Sequence, residues 1–479
     1  MDYIVYSHND SFIYVSKING NQIILKKDIP QDSKIFKTAS IESMMNIPIN
    51  YNQVLNFDNF DTIYISLHTS NFCNMKCRYC FMQKRTECSI SIDDATKFID
   101  LIVNRFPNAH KFIVDPTGSG EPLLRLNFLI ELSDYCKTKS NEISKEVLPM
   151  FVTNGTLLTS QNIKAIQDAG YIFGVSVDGY KKSHDQNRLD FTQKGTYKKI
   201  IKNIKKVKHR TFLGAAVTLS NENMNLVKAV VNLKKWFTTI SIKPVRSFDD
   251  YIEGINNSNI NLIRDNYTEL YKFIRKTTLS GQFQYLDALL NGDDYFGKFI
   301  IRVLLNQKVV TRCDAGIGRF SLTPDKKIIS CPGAIGIDLL VIGDLETGID
   351  ESKVNSLWDV LIKREDCKNC EIRFVCGGEC MVNSYYKNKV INHADDIMCE
   401  FKKHLFELSV KFKYELINHS EELFYRVQKA CFNKIKRFQK NEELSLVLKQ
   451  TNGRYDFIEL KKIYDEDYEK FKEIKDSVI

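Results

Sequence analysis

From residue 63 onward, short apolar runs rich in β-formers alternate with longer stretches whose apolar residues recur at helical spacing. The runs are IYISLH (63–68), FIVD (112–115), MFVT (150–153), FGVSV (173–177), GAAVTL (214–219) and ISIKPV (240–245). Between them, Ser91 is a candidate helix N-cap with Asp94 three residues on, and Phe98, Ile99, Ile102, Val103 and Phe106 follow on one face. A second helix is expected from about Thr159 to a stop at Gly170. Six strands alternating with helices predict an α/β fold, a parallel sheet curled into a partial (β/α)6 barrel over residues 61–245. In such barrels the chemistry gathers at the C-terminal ends of the strands.

The flanks read differently. In residues 1–60, FIYVSKI (12–18) and QIILKK (22–27) surround Asn19-Gly20, a hairpin signal, and a short, partly helical piece is expected before residue 60. Residues 246–310 have helical patterning and read as a bridge. Residues 311–405 are rich in cysteine, with short strand and turn signals, and 406–479 form a helical C-terminal extension. The lysine run at 197–210 is read as the solvated face of a helix.

Composition narrows the class. The chain has 479 residues, 43% hydrophobic and 27% charged, with only 22 Gly and 9 Pro, which excludes disordered and collagen-like chains. A net charge of +9 permits an acidic partner without demanding nucleic acid. There is no basic segment leading into an apolar run at the N-terminus, and no stretch of about 18 apolar residues. The chain is therefore expected to be cytoplasmic, without a membrane partner.

The thirteen cysteines are unevenly placed. Cys73, Cys77 and Cys80 sit together, as do Cys367, Cys370, Cys376 and Cys380; Cys313, Cys331 and Cys399 flank the second group, and Cys88, Cys136 and Cys431 stand alone. Clustered thiols in a reducing compartment read as metal ligands rather than disulfides. Three thiolates on one loop can hold three irons of a [4Fe–4S] cube and leave the fourth open to a chelating small molecule. A zinc site would want a fourth ligand, which Cys88 could supply.

The Cys73-x3-Cys77-x2-Cys80 spacing resembles the radical S-adenosylmethionine (SAM) family. The resemblance implies that the open iron binds the amino and carboxylate groups of SAM. It also implies cleavage of SAM to a 5′-deoxyadenosyl radical that abstracts hydrogen from a substrate. Gly118-Ser119-Gly120-Glu121-Pro122 resembles the family's Gly-Gly-Glu-Pro motif, which meets the SAM amino group, with Ser119 in place of the first Gly. Glu121 would then face an ammonium. Thr153-Asn154-Gly155-Thr156 follows the third strand, and Asn154 joins the expected SAM-binding set. Ser176-Val177-Asp178-Gly179 with Arg188 twelve residues after Ser176 resembles a further family motif. By that likeness Ser176 lies near the ribose or carboxylate and Arg188 pairs with the carboxylate. Asp178 is structural or functional with equal weight. Leu219 either packs on adenine or is a core leucine, and Tyr79 and Phe81 would shield the cluster or adenine.

Cys313-x17-Cys331, then Cys367-x2-Cys370-x5-Cys376-x3-Cys380, then x18-Cys399, resembles the SPASM domain, which carries two auxiliary [4Fe–4S] clusters. The likeness gives Cys367, Cys370, Cys376 and Cys399 to one cluster and Cys313, Cys331 and Cys380 to the other. The second set has one thiolate too few, so its iron would be open or take a non-cysteine ligand. The family often has Gly before the cysteine matching Cys331, where this chain has Asp325-Lys326-Lys327. The expected cofactors are thus SAM and three [4Fe–4S] clusters; a pair of zinc sites is the competing reading. The implied activity is maturation of a ribosomally made precursor peptide, by thioether or other cross-linking, with flavodoxin or ferredoxin as electron donor. The alternatives are sulfatase maturation, whose branch usually has Asp where this chain has Pro332, modification of a cofactor precursor, and a non-enzymatic zinc protein. Residues 1–60 would capture a leader peptide by strand addition or cap the barrel. The basic tail would contact an acidic leader or serve as a buttress.

Overall fold

Three N-terminal strands, β1 (Tyr3–His8), β2 (Ser11–Ser16) and β3 (Gln22–Leu25), form an antiparallel sheet, with Phe12 opposite Leu25 in the expected hairpin. β1 is an added strand that the hairpin signal did not include. The computed structural model describes residues 3–8, 11–16, 22–25 and 60–436, apart from 83–87, 208–212, 222–224, 246–253, 306, 308 and 310. The Asn19-Gly20 turn, the piece expected before residue 60, the end of the lysine run and residues 437–479 lie outside it.

Six parallel strands then lie side by side in chain order: β4 (Thr62–Leu67), β5 (Lys111–Asp115), β6 (Glu146–Thr153), β7 (Ile172–Ser176), β8 (Gly214–Leu219) and β9 (Thr239–Pro244). Alternate side chains divide between two faces. Ile63, Ile65 and Leu67 of β4 are fully buried against the helices, whereas Thr62 and Tyr64 on the other face keep partial access to water. Helix Ile92–Arg105 starts in the expected capping box, Ser91 with Asp94, and buries Phe98, Ile99, Ile102 and Val103. Each such side chain contributes about 1.5–3 kcal/mol on leaving water. Helix Ser160–Asp168 is capped by Thr159, and Gly170 takes a left-handed φ of +84° just past its end. Helix Tyr197–Ile204 buries Ile200 and Ile204 and exposes Lys198, Lys199 and Lys202, the solvated lysine face expected.

The cysteine-rich region does not form a separate layer. β10 (Arg319–Leu322) pairs in parallel with β4, Arg319 opposite Tyr64. β11 (Lys327–Ile329), β12 (Val341–Asp344) and β13 (Gly348–Ile349) extend the same sheet to ten strands. The β10–β11 turn places Lys326 at φ +65°, the conformation glycine favours, which accounts for the glycine common at this turn in the resembled family. Lys326 instead holds an ion pair with Asp94, 2.9 Å.

Helices Ile260–Leu279, Gln284–Leu289 and Tyr295–Leu304 form the bridge. Helix Asp396–His419 crosses them, with Phe401 packed edge-on against Tyr267 (5.2 Å between centroids). β1 also packs on this helix through Tyr6 and Phe406 (6.2 Å). The N-terminal sheet therefore lies on the C-terminal helices. Helix Glu421–Lys436 continues the chain.

Candidate active site

The loop after β4 carries Cys73, Cys77 and Cys80, all partly exposed. It is tied to two other strand ends. Asn154, after β6, donates from Nδ2 to Asn74 Oδ1 (2.8 Å) and lies 3.9 Å from Cys73 Sγ. Asn74 in turn donates to Thr156 Oγ1 (2.8 Å). On the far side, Lys76 N–H donates to Leu189 O (2.8 Å) and Arg78 N–H to Asn187 O (2.9 Å). The segment that carries Arg188 thus lies along the thiol loop.

Gly118, Ser119, Gly120 and Glu121 form the loop after β5. Gly118 has φ +47°, and a Cβ on it would stand 2.4 Å from His68 Cα; one on Gly120 would stand 2.2 Å from Phe72 O. Only glycine lets this loop lie so close to the chain leading into Cys73. Ser119 Oγ donates to Asn71 Oδ1 (2.6 Å). Glu121 is buried, and burial raises its carboxyl above the usual range. Its oxygens accept from Leu123 N–H (3.1 Å), Thr153 Oγ1 (2.6 Å) and Asn154 N–H (2.7 Å). The side chain expected to face an ammonium is thus a tether between the β5 and β6 loops.

Arg188, after β7, is also engaged. Its Nε pairs with Asp178 Oδ2 (3.0 Å) and its Nη2 donates to Thr218 Oγ1 (3.3 Å). The Tyr79 hydroxyl donates to the same Asp178 oxygen (2.5 Å), and the guanidinium stands over the Tyr79 ring (5.3 Å). Tyr79 is buried and Phe81 exposed. Ser176 is half-buried at the end of β7, and Leu219, ending β8, is buried among core side chains.

Burial pushes the Cys77 thiol up to about 12, neighbouring Cys80 and Cys73 add to this, and Arg188 opposes it. A set of thiolates here needs cationic charge beside it, which iron supplies, so the donor set fits a cluster. Among the described residues, no three His, Cys, Asp or Glu side chains converge on a single metal ion.

Below the loops, the barrel interior is polar. Asp115 accepts from Thr117 N–H (2.9 Å), and burial raises its carboxyl. Arg319 stands 4.1 Å over the Tyr64 ring and pairs with Asp314 (3.6 Å). Lys243 pairs with Asp293 (2.9 Å), which holds that carboxyl far below its ordinary value. The Asp293 side chain is exposed, 74% accessible. Burial, then Arg302 and Arg312, lowers Lys298 to about 7, and Asp293 and Cys313 oppose this. None of Tyr64, Asp115, Lys243, Asp293 and Arg319 belongs to a spacing motif. They come together because strand alternation and the late β10–β4 pairing bring their segments side by side.

The remaining thiols fall into two electrostatic neighbourhoods. Burial raises Cys399 to about 12 and Cys370 to about 11; among their thiol neighbours, Cys376 acts on both and Cys367 also on Cys399. Cys313 is raised by burial and then by Cys380. Gly316 N–H donates to Ser330 O (3.0 Å) and Ser330 Oγ to Met381 Sδ (3.6 Å), bringing the segments of Cys313, Cys331 and Cys380 together.

Residues 67–233 match the family described as the radical SAM superfamily. The chain is 24% identical over 370 residues to a cysteine-type anaerobic sulfatase-maturating enzyme of Clostridium novyi, spanning 71% of this chain and 93% of that one. It is 23% identical to the radical SAM cyclopropyl synthase TigE of Paramaledivibacter caminithermalis, over 74% and 76% of the two chains. Its fold matches native anSMEcpe with bound AdoMet and a peptide (TM-score 0.59, 20% identity, 78% of this chain and 99% of that one). No helix among the described residues is long and apolar enough to cross a membrane.

Proposed function

Because the chain is a radical SAM enzyme, we propose that it oxidises a residue within a ribosomally made precursor peptide, forming a thioether or another cross-link. The observation that carries this reading is a charged link from the first barrel strand to the Cys313 segment. Arg319 reaches from the Tyr64 ring on the first barrel strand to Asp314, the neighbour of Cys313. A peptide side chain bound along that link would lie between the Cys73 loop and the Cys313 thiol set. Similar proteins act on polypeptides by name, and a solved relative carries AdoMet and a peptide together.

In this reading Cys73, Cys77 and Cys80 hold a [4Fe–4S] cluster, and the two further thiol sets hold auxiliary clusters. When bound, the first cluster with SAM supplies the carbon radical that takes hydrogen from the peptide. The chain's own residues do the positioning. Asn154 and Glu121 fix the thiol loop against the β6 end, Gly118 and Gly120 let the β5 loop lie against the chain leading into Cys73, and Ser176 and Arg188 border the SAM site. A small reducing protein such as flavodoxin or ferredoxin would deliver the electron.

Sulfatase maturation is the second reading, favoured by the names of several similar proteins. Against it, Pro332 occupies the position where that branch usually has its Asp. The test is anaerobic co-expression with a small cysteine-containing precursor peptide, beside a parallel run with a sulfatase-derived peptide. Loss of two hydrogens per site on the first supports peptide cross-linking. Formylglycine on the second, with the first unchanged, establishes sulfatase maturation instead.

A further inference from the structure

The loop Cys376-Gly377-Gly378-Glu379-Cys380 carries one thiol from each auxiliary set. Gly377 and Gly378 have φ of +74° and +90°, and a Cβ on Gly377 would stand 2.5 Å from Arg312 N. The loop is therefore pressed onto the segment that ends in Cys313. Inside it, the fully buried Glu379 side chain pairs with Lys402 Nζ, itself only 1% accessible. Lys402 Nζ also lies 3.4 Å from Gly378 O, and that same carbonyl accepts from Cys376 Sγ (3.3 Å). Lys402 sits one helical turn beyond Cys399. Arg302 approaches from the other side and donates to Val375 O (2.6 Å) and Cys376 O (3.0 Å).

A buried Lys–Glu pair is a poor source of stability, because desolvating both charges offsets their attraction. Two apolar side chains would fill the volume as well. The placement makes sense through what else the charges face. In a low-dielectric interior a cation close to a cluster favours the state with the extra electron, and an anion disfavours it. We propose that Lys402 and Glu379 set the reduction potential of the auxiliary cluster at Cys367, Cys370, Cys376 and Cys399, Lys402 raising it and Glu379 lowering it. Both act through the cluster as positioning residues and do not touch substrate. The inference rests on those four thiols holding a cluster, as the proposed function requires.

The experiment is a potentiometric titration followed by electron paramagnetic resonance, on anaerobically reconstituted full-length protein. Lys402→Met should move the midpoint to more negative potential, Glu379→Gln to more positive potential, and Lys402→Arg should stay near the wild type. Glu379→Gln keeps the shape of the site, so it carries the test if Lys402→Met, with its unpaired carboxylate, folds poorly. The double variant Lys402→Met/Glu379→Gln removes both charges at nearly constant volume and should titrate between the two singles. Shifts of the same sign in both singles, or none in Glu379→Gln at full iron content, would overturn the inference. Iron and sulfide counts on the wild type separate this from the underlying reading, which fails if only one cluster per chain is present.

Discussion

Arg188 is held by Asp178 through a buried ion pair, Nε to Oδ2 at 3.0 Å, and Tyr79 donates its hydroxyl to the same oxygen. Asp178 also accepts from Thr218 N–H (3.0 Å), so a single carboxylate joins the thiol loop, the β7 end and β8. The arginine is thereby fixed in one direction beside Cys77. Removing the carboxylate in Asp178→Ala leaves a buried guanidinium unpaired, with an expected loss of about 3–5 kcal/mol in urea unfolding. Asp178→Asn keeps hydrogen-bonding capacity and should lose less, while weakening SAM binding in equilibrium dialysis. Unchanged SAM affinity in Asp178→Asn would show that Arg188 needs no such anchor.

Glu121 makes its three bonds to two different loops, so its loss should be felt at the thiol loop through Asn154. Glu121→Gln preserves volume but turns half of an acceptor group into a donor facing N–H groups. Each mismatch of this kind costs about 1–3 kcal/mol. The expected result is lower stability together with faster loss of the cluster to a chelator under anaerobic conditions. A variant with unaltered chelation kinetics would place Glu121 outside the support of the loop.

Gly120→Ala tests the close approach directly. The new methyl would meet Phe72 O at 2.2 Å and Ser70 O at 2.4 Å, both backbone atoms that cannot rotate away. The Glu121 N–H to Phe72 O bond (2.8 Å) pins the same contact. Overpacking of this sort costs about 1–3 kcal/mol, and thermal unfolding should show it. Gly281→Ala is the control for added volume, since its Cβ would meet nothing within 4 Å, although its φ of +82° brings a strain term of its own.

His68, directly after the first barrel strand, is fully buried with neither ring nitrogen bonded, and burial lowers it to about 4. The native state keeps the ring neutral while the unfolded chain protonates it near 6.5. Between those values the unfolded state binds more protons, so stability is present above pH 6.5 and lost as the pH falls toward 4. The loss from this residue reaches about 3 kcal/mol. His68→Phe should flatten that part of the pH dependence of the urea midpoint, measured on metal-free protein. Equal slopes in both proteins would mean that the ring finds a partner.

Much of this was readable in the chain, for identifiable reasons. Short apolar, β-rich runs between amphipathic helices located β4 to β9, and the Ser91–Asp94 box and Gly170 marked helix ends through purely local chemistry. The pairing of β10 with β4 joins segments some 250 residues apart and leaves no local trace, so the cysteine-rich region read as a separate domain although it shares the barrel sheet. The same limit applied to Glu121. Its motif and position were legible, but its partners Thr153 and Asn154 become neighbours only when β5 and β6 pair. Asp293 and Lys243 gave no signal, because an acidic residue before one helix and a lysine in a strand are ordinary until the fold brings them together.

The division of the thiols into three sets makes a quantitative prediction. With three [4Fe–4S] clusters the reconstituted protein holds about twelve irons, and each cluster removed lowers this by about four. Replacing Cys73, Cys77 and Cys80 together by Ala should leave about eight irons and abolish SAM cleavage. The Asn154–Asn74 and Asn74–Thr156 bonds are untouched by that change, so the loop keeps its seat and the protein stays folded. Replacing Cys367 and Cys370 should instead cost iron at the auxiliary site, since Cys376 acts on both Cys370 and Cys399 and Cys367 acts on Cys399, whereas Cys313 is acted on by Cys380. SAM cleavage without peptide should then persist, while peptide turnover falls, because the Cys73 loop and its tethers are intact. Retained 5′-deoxyadenosine production in the Cys73/Cys77/Cys80 variant would refute the assignment of the first set. Two metals per chain in place of twelve irons would return the cysteines to zinc.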